Sequence, residues 1–284
     1  MNFTLTFLSL YLISMAIGRK VKLPSVITEI TVLVLIFTIS YWGGVTIPVN
    51  EIASVLLISL IMATLLILIT YVIGLFFIDK VHLYPMKVNL RMQIKYVVPL
   101  VLGLILGLGI RFELPFTFII DYELYFLAVI IGIEIGRSFN IGLLKRTTGL
   151  AILAVTVDVV GAIILSVIFS PLIPLKASLM ITLGSGWYSY TGPFVAKYFG
   201  PALGVVGFLS NFLREQLAFI LLPILLRVKA TPIGAIAIGG ATSMDVTLPL
   251  YVDLLGGEYA VGAMISGFIL TLLIPIILPA IALL

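Results

Sequence analysis

The sequence predicts an all-α membrane protein with about eight transmembrane helices and two further segments that break inside the bilayer. Of its 284 residues, 62% are hydrophobic and only 10% are charged, and the mean hydropathy is +1.32. A soluble domain cannot hide so much apolar surface, because its exterior must be largely polar. Apolar runs of roughly 20 residues, the length that crosses a hydrocarbon core of about 30 Å, recur along the chain. We therefore expect one transmembrane domain over 1–284, with a scaffold half at 1–146 and the broken segments in 147–284.

Eight apolar runs predict the spanning helices, at residues 3–18, 25–42, 52–77, 96–112, 114–136, 149–169, 203–226 and 259–283. The basic residues Arg19, Lys20 and Lys22 follow the first run instead of preceding it, which is the reverse of a secretory signal. Since lysine and arginine collect in short cytoplasmic loops, the N-terminus is expected outside. The next two inner loops would then hold Lys80, Lys87, Arg91, Lys95, Arg137, Lys145 and Arg146.

Two interrupted segments, 177–199 and 231–251, allow two topologies. If 177–199 crosses the membrane fully, Arg227 and Lys229 fall outside. If it enters from outside and returns, both fall inside with most of the 16 lysines and arginines. We favour re-entrance, and full crossing remains the alternative. A matching return of 231–251 from inside gives opposed hairpins, both termini outside, and the inverted repeat that many secondary transporters use.

Both interrupted segments carry glycine, hydroxyl and proline residues where a lipid-facing helix would carry leucine. Gly184–Pro193 reads GSGWYSYTGP, and Gly239–Pro249 reads GGATSMDVTLP. Glycine lets the backbone leave the helix, and proline removes a donor. An unpaired backbone group in hydrocarbon costs several kcal/mol, so such breaks must line a wet cavity or be buried in protein. We expect the freed groups to hold a zwitterion; close helix packing through small residues is the alternative. The candidate binding residues here are Trp187, Tyr188, Ser189, Thr242 and Ser243.

Glu215 lies in the middle of the apolar run 203–226. An ionisable group at mid-bilayer costs on the order of 2.5–3.5 kcal/mol or more, so it should face a cavity or a partner. Asn211 lies one turn before it on the same helical face, within side-chain reach. The alternative is a structural ion pair between Glu215 and the adjacent Arg214.

Two aspartates complete the set of candidate membrane carboxylates. Asp245 lies in the second broken segment, and Asp158 lies in the middle of the run 149–169. For Asp158 a hydrogen-bonded packing role is the alternative. Carboxylates at membrane depth can bind a cationic solute, a proton or a sodium ion, and a Na⁺ site is conceivable near Asp245. We expect no cofactor, and since the chain has no cysteine it has no disulfide and no thiolate metal site.

At these residues the chain resembles the LysO-type lysine exporters of prokaryotes. The matching pieces are Gly186-Trp187-Tyr188-Ser189 with Gly192, then Arg214-Glu215, then Gly240 to Asp245 with Thr247-Leu248-Pro249. Their order and spacing fit over roughly 180–284, the match is looser over 96–180, and before residue 96 only the helix pattern agrees.

The resemblance implies export of L-lysine and its toxic analogues across the plasma membrane of a prokaryote, driven by an ion gradient. It also implies eight helices with both termini outside, and it assigns the essential membrane acids to Glu215 and Asp245. One position departs from the family, which has a histidine before the Gly-Phe of its last helix. Here Ser266 precedes Gly267 and Phe268, so a relay through that histidine cannot operate.

Other function classes differ in how well they fit. The chain has no Gly-x-x-x-x-Gly-Lys loop for an ATP-driven pump, and its net charge of +4 sits at helix ends, where topology and not nucleic acid explains it. A serine protease using Ser185 or Ser189 would need a base, and the lone histidine, His82, lies in an inner loop. An aspartyl enzyme would use Asp158 and Asp245. A passive channel, or an ion-coupled carrier of an organic anion or of Na⁺ against H⁺, remains open, as does a homo-oligomer.

Overall fold

The structure is a computed structural model that describes residues 3–21, 23–77, 83, 94–138 and 148–284. Its helices over these residues are α1 (Phe3–Ile17), α2 (Ser25–Thr46), α3 (Val49–Gly74), α4 (Ile94–Ile110), α5 (Phe116–Ser138), α6 (Thr148–Phe169), α7 (Leu175–Thr182), α8 (Tyr188–Phe199), α9 (Pro201–Val228), α10 (Pro232–Gly239), α11 (Leu248–Leu255) and α12 (Gly257–Leu283). A 3₁₀ turn, Gly240–Met244, follows α10.

The predicted all-α architecture is confirmed. Each of the eight apolar runs forms one helix, with ends that differ from the prediction by a few residues. Six of these helices are long and apolar enough to cross a membrane, and α1 and α4 are shorter apolar helices of 15 and 17 residues. Several residues of the sequence argument lie outside the described residues, namely Lys22, Lys80, His82, Lys87, Arg91, Lys145 and Arg146.

Large apolar side chains cover the outward faces of the helices. Leu57, Ile105 and Val167 are each more than half exposed. Exposed apolar area of this extent would be unfavourable in water but matches a lipid surround. The chain is therefore a multi-pass membrane protein.

Helices α1 and α5 run in the same direction, and the end of the bundle at which both begin is called the upper end. Near this end the Phe3 ring stacks on Tyr125 with 5.1 Å between centroids. Further down, Gly132 packs against Tyr11, and Gly136 packs against Met15. The lower end is the one at which α1 and α5 stop.

The first broken segment enters and leaves the bundle at the upper end. After α7 the chain is not α-helical over 183–187, and α8 then returns. Lys197, near the end of α8, pairs with Asp121 at the start of α5 over 2.6 Å. Lys176, at the start of α7, donates to the carbonyl of Ala282, at the end of α12, over 3.1 Å.

The second broken segment enters and leaves at the lower end. Thr231 donates its hydroxyl to the carbonyl of Gly74, at the end of α3, over 2.6 Å. The segment then passes through α10, the 3₁₀ turn and α11, and α12 begins where Gly262 packs against Leu150, at the start of α6. The two segments are therefore opposed hairpins, as the re-entrant topology requires, and Arg227 lies at the lower end.

Candidate functional site

The two chain breaks meet inside the bundle. Ala241 donates its backbone N–H to the carbonyl of Ser185 over 2.8 Å. Gly240 has φ +59°, and a Cβ at this position would overlap the Ser185 carbonyl, so only glycine fits. Ser185 itself has φ +48°, a strained value for a residue with a side chain.

A cavity of about 260 Å³ lies beside this meeting point. A single water needs only roughly 10–15 Å³ of such volume, so the cavity has room for a small solute. It is lined by Thr28, Val32, Leu127, Ile131, Gly186, Trp187, Tyr188, Ser189, Glu215, Ala241, Thr242, Met244, Asp245, Val246, Phe268 and Thr271.

Six of the nine predicted binding residues line this cavity: Trp187, Tyr188, Ser189, Glu215, Thr242 and Asp245. Residues from three unbroken helices, α2, α5 and α12, were missed. Thr28 on α2 and Thr271 on α12 are hydroxyls inside apolar runs, which is the one signal that could have marked them. The apolar wall residues, such as Val32 and Leu127, look like any lipid-facing residue in the sequence.

The two predicted carboxylates differ in their exposure and in their hydrogen bonds. Glu215 is only 1% exposed; its Oε1 accepts from Gln216 over 2.9 Å, and its Oε2 is buried without a partner. Asp245 is exposed, and its Oδ1 accepts from the Val246 N–H over 2.6 Å. The two groups are close enough to interact electrostatically. The cavity is therefore lined by two carboxyl groups that interact with each other.

Arg214 pairs with Asp158, so the alternative of a pair between Arg214 and Glu215 does not hold. Both side chains are almost fully buried. The guanidinium also donates to the carbonyls of Ile238 over 2.8 Å and Ala237 over 2.7 Å. The second carboxylate oxygen of Asp158 accepts from Ser185 Oγ over 2.5 Å. We call Arg214, Asp158 and Ser185 the Arg214 cluster.

Three predicted binding residues do not line the cavity. Asp158 belongs to the Arg214 cluster, so it does not face Asp245 as an aspartyl enzyme would require. Asn211 turns away from Glu215 and holds the first break: it donates to Ile181 and Gly207 over 2.8 Å each and accepts from Gly186 over 2.7 Å. Ser243 donates to the carbonyl of Ile236 over 3.0 Å. Asn211 and Ser243 therefore pair backbone groups, and Asp158 pairs two side chains, instead of facing a solute.

The start of α8 forms the part of the cavity wall whose partial charge is opposite in sign to that of the carboxylates. This helix begins at Tyr188, and Trp187, Tyr188 and Ser189 all line the cavity. The Tyr188 and Tyr190 N–H groups at this start already donate to the Gly186 and Trp187 carbonyls over 3.0 and 3.3 Å, and the positive end of the helix dipole remains. A cavity with two carboxylates and one helix start can therefore hold both a cationic group and an anionic group.

Metal binding has no dedicated site in the part of the chain that the structure describes. No group of three or more histidine, cysteine or acidic residues there could hold a metal ion. Two carboxylates and several carbonyls suit a weakly held Na⁺, and a sodium site near Asp245 stays a prediction.

Comparison with known proteins identifies the family. The family model for "Lysine exporter LysO" matches residues 97–282. The chain is 33% identical over 183 residues to Lysine exporter LysO of Escherichia coli (strain K12), which covers 63% of this chain and 60% of that protein. It is 30% identical over 162 residues to a putative lysine exporter of Haemophilus influenzae (strain ATCC 51907 / DSM 11121 / KW20 / Rd), covering 55% of this chain and 80% of that protein. No solved structure matches. Both chain breaks, Glu215 and Asp245 lie inside the matched range, and the chain belongs to the LysO lysine exporter family.

Proposed function

We propose that this protein is a secondary active exporter of L-lysine and related cationic amino acids, coupled to a proton or sodium gradient, in a prokaryotic plasma membrane with both termini outside. The observation that carries the proposal is that Glu215 and Asp245 face one cavity at the point where two opposed chain breaks meet. The direction of transport is taken from the names of the relatives, of which the first is matched over about 60% of its length.

Recognition follows from the charges on the cavity wall. A cationic amino acid carries two ammonium groups and one carboxylate. The ammonium groups pair with Glu215 and Asp245, and the carboxylate lies at the positive end of the α8 dipole. Ser189 and Thr242 add hydroxyls beside these charges. A buried carboxylate left without a cation is costly, so solutes lacking a side-chain cation bind poorly.

Coupling uses the same two acids. A proton or a sodium ion on Glu215 or Asp245 removes the negative charge that holds the solute, so ion and solute compete for one site. Exchange of one for the other, with the site facing each side in turn, links export to entry of the ion. No other group is required for this exchange.

The test is uptake of labelled lysine into inverted vesicles that contain the full chain, with an imposed proton or sodium gradient. Accumulation above the equilibrium level under one gradient, abolished in Glu215→Gln, supports the proposal. Glu51→Gln is the matched control, since Glu51 is an exposed acid in the first turn of α3. Equilibration without accumulation indicates a passive channel, and indifference to lysine under both gradients rejects the substrate.

A further inference from the structure

We propose that Arg214 is a positioning residue for transport: the Arg214 cluster joins the two chain breaks into one unit that moves against α2 and α5 and carries the binding site with it. This inference rests on the proposed function and goes beyond it, because it states which parts of the protein move. It follows from the contacts of Arg214, from the unequal bonding between the helices, and from the position of the cavity.

The Arg214 cluster connects four elements at the centre of the bundle. Arg214 on α9 contacts Asp158 on α6 and the carbonyls of Ala237 and Ile238 at the end of α10, and Asp158 contacts Ser185 in the first break. Separating the two breaks would leave these charges buried without partners, which is strongly unfavourable. The breaks are therefore held at a fixed separation.

Arginine suits this position better than lysine. Its planar guanidinium presents donors in several fixed directions, and here they reach a carboxylate and two carbonyls. The Ala237 carbonyl also accepts from the Gly240 N–H at the end of α10. The guanidinium adds hydrogen bonds to the last carbonyls of this helix, and its charge offsets the negative end of the helix dipole.

Polar contacts extend the same unit to its neighbouring helices. Thr231 bonds to Gly74 and Tyr71 bonds to Lys229, which joins α3 to the second hairpin. Ser166 and Thr182 share a hydrogen bond of 2.7 Å between α6 and α7. We call α3 and α6–α12 the binding unit.

The remaining helices form a second group, α1, α2, α4 and α5, which we call the frame. Helix α4 packs closely on α2 through Gly103 and Gly107, and α5 packs on α1 through Gly132 and Gly136. Small residues let membrane helices approach closely. Thr38 on α2 also donates to Glu123 on α5 over 2.8 Å.

Contacts between the binding unit and the frame are mainly apolar. The Phe7 ring stacks on Tyr190 at 5.4 Å, and Phe3 lies 6.1 Å from Phe194. The pair of Lys197 with Asp121 at the upper rim has side-chain exposures of 17% and 22%, and it is a polar contact that must break when this surface slides. Apolar contacts are not directional, so the binding unit can slide along the frame. The directional hydrogen bonds of the Arg214 cluster resist any such displacement between the two breaks.

The cavity lies at this surface and is displaced toward the lower end. Thr28 is the fourth residue of α2, roughly 5 Å from its lower end at 1.5 Å per residue, and Leu127 is the twelfth of the 23 residues of α5, at its middle. Both carboxylates belong to the binding unit, and α2 and α5 supply Thr28 and apolar residues. Movement of the binding unit along α2 and α5 would expose the acids to the upper side.

Two cysteine pairs test the inference, and the natural chain has no cysteine to interfere. Ser166→Cys with Thr182→Cys joins α6 to α7 inside the binding unit, where the two hydroxyl oxygens lie 2.7 Å apart. Gly43→Cys with Val205→Cys joins the frame to the binding unit, since a Cβ on Gly43 would lie 3.2 Å from the Val205 side chain. Lysine transport is measured for each protein oxidised and again after reduction.

The oxidised 166–182 pair should transport within about twofold of its reduced form, and the oxidised 43–205 pair should be arrested and recover on reduction. Arrest of the first pair, or free transport by the second, overturns the inference. The comparison of each protein with its own reduced form removes any effect of the substitutions themselves.

Arg214→Met with Asp158→Leu gives a second measurement, because removing both charges avoids a single unpaired one. We expect this protein to fold and to bind lysine within about threefold of the wild type, and to transport at least tenfold more slowly. If this double variant both folds and transports lysine at the wild-type rate, the ion pair is only structural and the inference is overturned.

A readout without lysine separates this inference from the proposed function. A single Ser189→Cys on the cavity wall is alkylated by an impermeant thiol reagent from each membrane face, in the wild-type background and in the Arg214→Met, Asp158→Leu background. Alternating exposure that is lost in the second background supports the inference even if lysine is not the solute. Equal exposure in both backgrounds contradicts it whatever the solute is.

Discussion

Ala241 donates its backbone N–H to the carbonyl oxygen of Ser185 over 2.8 Å, and this bond joins two hairpins that enter the bundle from opposite ends. Each hairpin alone would leave its break with unpaired backbone groups at membrane depth. Where the two breaks meet, each supplies one backbone partner to the other. Arg214 donates to the Ile238 carbonyl at the end of α10, and Asn211 accepts from the Gly186 N–H. The cavity lies beside the point where the two breaks meet.

Removal of the buried carboxylate should abolish transport without unfolding the protein. We expect Glu215→Gln to lower the rate of lysine transport at least tenfold, because glutamine keeps the shape and the contact with Gln216 but cannot balance an ammonium group. Transport in reconstituted vesicles and the thermal unfolding temperature of the same protein measure the two effects. Normal transport by Glu215→Gln would remove this residue from the site.

Solute specificity should depend on the side-chain cation. We expect an amino acid of lysine's length that ends in a methyl group to compete at least tenfold less well, because it leaves a carboxylate of the cavity unpaired. Competition against labelled lysine measures this ratio in the wild type. In Asp245→Asn the ratio should shrink, and an unchanged ratio would exclude Asp245 from cation recognition.

Loss of one member of the central ion pair should destabilise the fold. We expect Arg214→Met or Asp158→Asn alone to cost about 3–5 kcal/mol, since each leaves a buried group without its partner. Thermal or denaturant unfolding in detergent measures the loss. The double change Arg214→Met, Asp158→Leu should recover much of it, and two single variants as stable as the wild type would contradict the pairing.

Two glycines give a matched test of the backbone at the second break. Gly240→Ala should cost roughly 1–3 kcal/mol or more, because alanine disfavours φ +59° and its Cβ would meet the Ser185 carbonyl. Gly109 is exposed on α4, and a methyl group added there would have no neighbour within 4 Å, so Gly109→Ala should be neutral or stabilising by up to about 1 kcal/mol. Unfolding temperatures of the two variants check the contrast, and equal values would contradict the backbone conformation described for Gly240.

Much of the fold was predictable because lipid imposes a simple rule on sequence. A helix that crosses hydrocarbon needs an apolar run of set length, so runs such as 149–169 or 203–226 mark their helices with little ambiguity. The same rule exposes the exceptions: Glu215 and the motifs GSGWYSYTGP and GGATSMDVTLP stand out because they are costly in lipid. The sequence by itself therefore determined the helices, the places where the chain breaks, and three candidate acids, of which two line the cavity.

Only the tertiary structure decided which polar side chains face the cavity and which pair with each other. Arg214 and Asp158 are 56 residues apart in sequence, so nothing in the sequence marks them as partners. Asn211, one turn from Glu215, points instead to Gly186. Contacts between distant segments depend on how helices pack, and apolar packing surfaces look alike in the sequence because lipid and protein interior are equally apolar.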